Sequence, residues 1–270
     1  RIEPPFWWSG MNNPSLQLMV YGSDIVYTEP SISYPGVKLL SVTPAENPNY
    51  LFIDLELGRN VAPGFFTIDF KQGDEVVESK EYELKAREKN SRKRKGFTSS
   101  DVIYLLMPDR FSNGNPKNDS HPDMTEKADR ANLNGRHGGD IKGISNHLDY
   151  IVELGFTTLW INPLVENNNP EYSYHGYAIT DFYKIDPRYG TNQDYVDLVN
   201  QAHQKNLRMV MDMVFNHCSV HHWFIEDLPF ANWIHQFDEF TRSNFRASTL
   251  VDPHASAYDR EKMLTGWFDR

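Results

Sequence analysis

Cysteine is nearly absent from this sequence: Cys218 stands alone among 270 residues, so no disulfide framework can form within the chain. No run of about 18 apolar residues occurs, which excludes an ordinary membrane-spanning helix. Positive charge is in deficit, with 27 Lys and Arg against 37 Asp and Glu and a formal net charge of −10. Such a surface repels nucleic acid and anionic membranes, so neither is an expected partner. No G-x-G-x-x-G follows the first strand of the βα region, which counts against a dinucleotide fold, and no H-E-x-x-H marks a zinc protease. No internal repeat is present. There is no initiator Met. The chain starts at Arg1, and a processed or trimmed start is expected.

The composition is 39% hydrophobic and 24% charged, ordinary for a globular protein, and the length suggests two domains. Residues 1–84 read as a β-sandwich of antiparallel strands. Leu51, Ile53, Leu55 and Leu57 alternate with polar or outward positions, as do Phe66, Ile68 and Phe70. Lys71-Gln72-Gly73-Asp74 reads as a hairpin turn into a strand from Glu75 to Leu84. Residues 85–95 change character: seven of eleven are Lys or Arg. Polyanion binding is one reading of that run, and a solvated linker fits the acidic whole better. From Gly96 the pattern becomes strand, helix, strand, helix, strand. The strands are expected at Val102–Met107, Thr157–Leu164 and Leu207–Phe215, and the helices around Ile144–Leu154 and Asn192–Asn206. The first of these strands is an uninterrupted apolar run, as for a strand covered on both faces. Repeated βαβ units imply a parallel sheet. The long polar and aromatic loops after each strand favour a (β/α)8 TIM barrel, of which residues 96–217 would be the first three units, over an open doubly wound sheet.

Three clusters follow those strands. The first, Pro108 to Asp119, gathers Asn113, Asn115, Asn118 and Asp119, oxygen donors of the kind calcium prefers; an Asn-Gly turn explains the spacing equally well. The second, Tyr174-His175-Gly176-Tyr177, offers an aromatic face beside a polar ring, a pairing that suits a sugar, with Gly176 permitting close backbone approach; a tyrosine-rich packing loop is the alternative. The third runs Met211-Asp212-Met213-Val214-Phe215-Asn216-His217. Strand alternation puts Asp212, Val214 and Asn216 on one face, and a carboxylate among apolar neighbours needs partners. His217, Cys218, His221 and His222 carry enough nitrogen and sulfur for zinc, but a plain loop is the better reading because no ligand spacing supports the metal.

Taken in order, these clusters resemble the α-amylase superfamily of glycoside hydrolases, the third matching its D-x-V-x-N-H region. The opening Glu3-Pro4-Pro5-Phe6-Trp7-Trp8-Ser9-Gly10-Met11 resembles the N-terminal, immunoglobulin-like domain of neopullulanases and cyclomaltodextrinases. The resemblance implies that Tyr177 stacks on the sugar at the cleavage subsite, that His217 contacts a sugar hydroxyl there, and that Asp212 orients an arginine beside the nucleophile. His175 and Asn216 join the expected substrate-binding set, and Asn162, at the end of the second strand, is expected at the same mouth. Calcium is implied at Asn113, Asn115, Asn118, Asp119, the Gly138 carbonyl and Asp140, the last two from Gly138-Gly139-Asp140.

The resemblance implies that residues 218–270 begin an insertion after the third strand. The family's nucleophile, acid/base and second Asp have no match before Arg270, so the chain is expected to be the N-terminal part of a longer enzyme. That enzyme would hydrolyse α-glucosidic bonds of cyclodextrins, pullulan or maltooligosaccharides with retention. The resemblance also implies a homodimer through the N-terminal domain and a periplasmic rather than cytoplasmic location. The rival from another class is a non-catalytic starch-binding protein using Trp7 and Trp8.

Overall fold

A computed structural model describes residues 1–94, 96–234 and 252–264. They fall into two compact units, Arg1–Pro229 and Phe230–Arg270. The first carries two hydrophobic cores, one in a sandwich and one beneath a parallel sheet.

The sandwich pairs two four-stranded sheets. One contains β1 (Ile2–Glu3), β3 (Ser15–Tyr21), β6 (Tyr50–Leu57) and β5 (Val37–Pro44), adjacent in that order. The other contains β2 (Phe6–Trp8), β8 (Glu75–Lys85), β7 (Gly64–Gln72) and β4 (Glu29–Ile32). The alternation read from the sequence sets the inner faces: Leu18, Ile53 and Ile68 are completely buried. Each contributes about 1.5–3 kcal/mol by leaving water. Gly73, at φ 61°, makes the β7–β8 turn. The expected all-antiparallel arrangement is corrected at one edge, where β2 runs parallel to β8 and Phe6 faces Glu83. Trp7 packs against the sandwich core, so only its neighbours Phe6 and Trp8 remain on the outer side. The basic stretch is less detached than a free linker. Lys85 ends β8, Arg87 donates to the Gly10 carbonyl, and Arg94 pairs with Glu88. Lys95 lies outside the described residues.

The second core lies under three parallel strands, β9 (Ile103–Leu106), β10 (Thr158–Ile161) and β13 (Arg208–Met211), with β10 in the middle. Trp160 pairs in register with Leu105 on one side and Val210 on the other. Four helices follow in the first unit's βα region: α1 (Pro108–Phe111), α2 (Ile141–Asn146), α3 (Leu148–Glu153) and α4 (Asn192–Gln204). The expected single helix around Ile144–Leu154 is two, broken at His147. Gly155, at φ +89°, closes the second. Thr191 and Asp194 cap α4 reciprocally, and Leu198 and Ala202 point it at the core. A two-stranded ribbon, β11 (Val165–Glu166) and β12 (Asp181–Ile185), lies between β10 and α4 in sequence. The short α5 (Trp223–Glu226) follows β13, and α6 (Ala257–Leu264) belongs to the second unit.

Two further expectations are corrected. Ile103–Leu106 is not covered on both faces: Leu105 is 59% exposed, and Trp160 beside it is 39% exposed. The third strand ends at Met211, and residues 212–217 form a loop. Val214 turns into a small core with Val165, Ile179 and Phe182, while Phe215 is exposed. Packing against the β11–β12 ribbon overrides the strand alternation there. Of the expected insertion, residues 235–251 and 265–270 lie outside the described residues.

Ile53→Ala leaves a cavity at a fully buried position. The expected cost is about 2–5 kcal/mol, read as a lower urea midpoint with unchanged m-value. A loss below 1 kcal/mol would show that the sheet interface collapses around the gap.

Candidate functional site

The loop after β10 and the segment after β13 meet through side chains. Asp212 Oδ2 accepts from the Tyr177 hydroxyl at 2.9 Å and from the Trp160 indole at 3.0 Å. His217 lies 2.8 Å from the Tyr177 carbonyl through Nε2, which must therefore carry the proton. Asn216 Nδ2 reaches His217 Nδ1 at a long 3.4 Å. His175 Nδ1 accepts the Tyr177 amide at 2.9 Å, and the two rings stack 5.9 Å apart. Tyr177, His175, Asp212, Asn216 and His217 thus form one cluster at the carboxyl ends of β10 and β13. Asn162, just past β10, is buried, and its amide donates to the Leu106 carbonyl. Trp160 was not among the expected site residues; its place in an apolar run hides an indole N–H aimed at a carboxylate.

Gly176 earns its place sterically. It sits at φ +85°, and a Cβ there would fall 2.3 Å from the Pro163 carbonyl oxygen. The close approach expected of this glycine is therefore to the protein's own backbone. Burial, then the bond to Asp212 and its charge, push the Tyr177 hydroxyl up to about 12. Burial also lowers the His175 imidazole, opposed by Glu126, in keeping with an Nδ1 that accepts a hydrogen bond.

The oxygen-rich loop behaves differently from residue to residue. Asn113 Nδ2 donates to Asp119 Oδ1 at 2.7 Å, while Asn113 Oδ1 and Asn118 Oδ1 are buried without a hydrogen-bond partner. Asn115 Oδ1 accepts the Lys117 amide at 3.4 Å. Gly138, at φ +86°, lies so close to Asp119 that a Cβ would fall 2.7 Å from its Cγ. Asp140, the remaining residue of the expected ligand set, also caps a helix. Its carboxylate is fully buried and already accepts the amides of Gly114, Asn115 and Gly143 at 3.0, 2.8 and 2.5 Å, so it caps α2. Among the described residues, no three of His, Cys, Asp and Glu gather as a metal site. The oxygens gathered here are the carboxylates of Asp119 and Asp140 with amide and carbonyl oxygens between them.

Beneath the Tyr177 loop lies a buried set of charges. Asp186 takes the Arg188 guanidinium through Nε at 2.9 Å and Nη2 at 2.7 Å, and both residues are fully buried. Burial raises the Asp186 carboxyl, but the bonds from Arg188 and the charge of Arg136 outweigh it and hold the group below its ordinary value. Asp109 accepts the His137 and Gly138 amides and pairs with Arg110 at 2.6 Å. Charge inside a core leaves no periodic trace, so only Asp119 and Asp140 stood out among the carboxylates of this region.

Because the Tyr177 hydroxyl is raised in the folded protein, it favours folding below pH 10 and loses that contribution as the pH climbs to about 12. Tyr177→Phe is therefore expected to flatten part of the alkaline stability loss seen in wild type, measured by urea unfolding at pH 8, 10 and 11. Parallel curves for the two proteins would remove the titration assigned to this hydroxyl.

The sequence matches two family models: the α-amylase catalytic domain over residues 105–245 and the cyclomaltodextrinase N-terminal domain over residues 1–88. A β/α-amylase of Paenibacillus polymyxa is 38% identical over 155 residues, covering 56% of this chain and 13% of that protein. A cyclomaltodextrinase of Thermoanaerobacter pseudethanolicus is 31% identical over 132 residues, 49% of this chain and 22% of the relative. Neopullulanase 2 of Thermoactinomyces vulgaris is 39% identical over 119 residues, 45% of this chain and 19% of the relative. The chain spans between 13% and 22% of the length of these curated relatives. The catalytic-domain match covers more than half of the chain and takes in the whole Tyr177–His217 cluster, and the chain belongs to the α-amylase family.

Proposed function

We propose that this chain is the N-terminal part of a retaining glycosidase that cleaves α-glucosidic bonds in cyclodextrins, pullulan or maltooligosaccharides. The carrying observation is the convergence of Tyr177, Asp212 and His217 through direct hydrogen bonds at one end of the parallel strands. The domain reading keeps residues 1–84 as the sandwich, 85–95 as the joint and 96–217 as the first three units of a (β/α)8 barrel, with 218–270 opening the insertion.

In this reading the Tyr177 ring, 37% exposed, supplies the apolar face for a sugar. His217, its Nε2 held by the Tyr177 carbonyl, offers Nδ1, reached among the described residues only by the long contact from Asn216, as an acceptor for a sugar hydroxyl. Asp212, its Oδ2 held by Tyr177 and Trp160, keeps Oδ1 for a cationic partner. Retaining cleavage needs one carboxylate to attack the anomeric carbon and a second to protonate the leaving oxygen. Those two groups lie on later strands of the complete protein. Calcium fits the 113–119 loop because two buried amide oxygens there lack donors. Asn113, Asn115, Asn118, Asp119, the Gly138 carbonyl and Asp140 would hold it, and its role would be to stiffen the loop. The complete enzyme is proposed to act in the periplasm as a homodimer joined through the N-terminal domain.

The 270-residue chain by itself is expected to show no hydrolysis of β-cyclodextrin or pullulan, measured as reducing-end release. In the complete enzyme His217→Ala is expected to lower kcat/KM by about 10²-fold, as for loss of a transition-state hydrogen bond. Robust turnover by the chain alone, or an undiminished His217→Ala enzyme, would overturn this assignment.

The calcium reading is tested separately. Chelator is expected to lower the melting temperature of wild type, and Asp119→Ala to remove that sensitivity. Wild type indifferent to chelator would leave the loop as an Asn-Gly turn.

A further inference from the structure

We infer that Arg136, acting with the Tyr189 hydroxyl, is a positioning residue that sets the place of Tyr177. This rests on the reading of Tyr177 as the sugar platform. Arg136 is completely buried, yet its Nε and Nη2 have no hydrogen-bond partner. Its Nη1 donates to the Ser173 carbonyl at 3.4 Å and to the Ser173 hydroxyl at 3.3 Å. The guanidinium carbon lies 4.6 Å from the centre of the Tyr189 ring, and Nε is 3.9 Å from Asp109 Oδ1.

Ser173 opens the 3-10 turn Ser173–His175, which passes through Gly176 directly into Tyr177. The turn is gripped at successive residues. Glu126 Oε2 accepts the Ser173 amide at 2.7 Å, the Tyr189 hydroxyl donates to the Tyr174 carbonyl at 2.9 Å, and the Arg110 guanidinium covers the Tyr174 ring at 4.2 Å. Gly176 backs onto the Pro163 carbonyl, so the turn cannot retreat at that end. A shift at Ser173 is then passed to Tyr177 and His175, because the Tyr177 amide is tied to the His175 ring.

A guanidinium is an odd choice for filling space here. Replacing buried ionic groups by apolar ones of similar volume is often neutral or stabilising. What an apolar side chain cannot supply is a directed donor at Ser173 together with a flat face on Tyr189. Arg188 makes a useful contrast. It is buried in the same region, but its bonds run to Asp186, the Glu126 carbonyl and the Asn167 carbonyl, none of them in the 173–177 turn.

The test uses Arg136→Lys, which keeps the charge, Arg136→Met, which keeps the volume, and Tyr189→Phe, which removes one hydroxyl and keeps the ring. In the 270-residue chain, amide exchange at Tyr174, Gly176 and Tyr177 is expected to quicken about tenfold in each folded variant, with the strand amides of Leu159 and Ile161 unchanged. In the complete enzyme, KM for β-cyclodextrin is expected to rise about tenfold while kcat changes less than about threefold. A merely structural defect would lower the active fraction, and so kcat, and leave KM alone. Wild-type exchange in the turn together with wild-type KM in Tyr189→Phe or in either folded Arg136 variant would overturn the inference. Faster exchange in the variants, with no turnover of β-cyclodextrin, pullulan or maltohexaose by wild-type complete enzyme, would remove the glycosidase reading and leave the positioning role standing.

Discussion

The loops above the parallel sheet depend on a balance of buried charge. Asp109, Asp186, Arg136 and Arg188 are all essentially out of water. A lone carboxylate or guanidinium in that setting costs several kcal/mol, and only close pairing with satisfied lone pairs recovers it. Asp186 meets that condition by accepting two Arg188 nitrogens and the amides of Asn167 and Arg188. Asp109 meets it with the amides of His137 and Gly138 and the partly exposed Arg110. The four residues come from three segments far apart in sequence: Asp186 pairs with Arg188 beside it, Asp109 pairs with Arg110 and takes amides from His137 and Gly138, and Arg136 reaches Ser173. The bonds of Asp109 and Arg136 tie the first two segments together and to the turn that leads into Tyr177.

The backbone makes room for this arrangement at a few points where a side chain could not exist. A Cβ on Gly139 would fall 2.1 Å from the Pro108 carbonyl oxygen, and one on Gly143 would fall 1.9 Å from that of Ser112. The 108–119 loop therefore lies directly on the start of α2. Asp140 completes the joint by gathering amides from both pieces, Gly114 and Asn115 from the loop and Gly143 from the helix. A carboxylate serving three backbone donors in this way is a structural clasp. The neighbouring Asn113 and Asn118, whose side-chain oxygens have no donor, are the residues of the loop with coordination to spare.

What could be read from the sequence divides along physical lines. The sandwich strands were legible because one face is buried and the other wet, so Leu51–Leu57 and Phe66–Phe70 carry a period of two. Helix α4 was legible for the same reason, with Tyr195, Leu198 and Ala202 on one side. The strand Ile103–Leu106 was legible as a strand but not in its burial, since an apolar run does not say which face is covered. At Asp212 the pattern misled: the alternation of residues 212–216 fits a strand, yet the strand ends at Met211 and Val214 packs with Val165, Ile179 and Phe182. Asp140 precedes Ile141 in the place of a helix cap, a role the family likeness did not bring out. Tyr177, Asp212 and His217 were legible only through the family likeness, because their meeting depends on contacts across 35 and 40 residues. Arg136 and Trp160 left no signal at all: neither a buried guanidinium nor an indole donor has a characteristic spacing.

The sandwich also reaches the segment that leaves the site. Asn47 and Asn49 donate to the two carboxylate oxygens of Asp227, the Tyr50 hydroxyl donates to its carbonyl, and the Asn47 amide donates to the Pro229 carbonyl at 3.2 Å. Trp223 is held between the Tyr21 ring, 5.4 Å away, and the Arg1 guanidinium, 4.3 Å from its ring centre. Bonds to a carboxylate are stronger than neutral ones, and here two of the donors, Asn47 and Asn49, come from a single tight turn of the sandwich. The hydrogen bonds of Asn49 and Asn47 hold the Asp227 carboxyl below its ordinary value, so the clasp persists in mild acid and loosens only when that lowered carboxyl is protonated. Nine residues lie between His217 and Asp227. The segment after β13 is thus tied at both ends, at Tyr177 through His217 and at the sandwich through Asp227, and the N-terminal sandwich becomes part of what holds His217 in position.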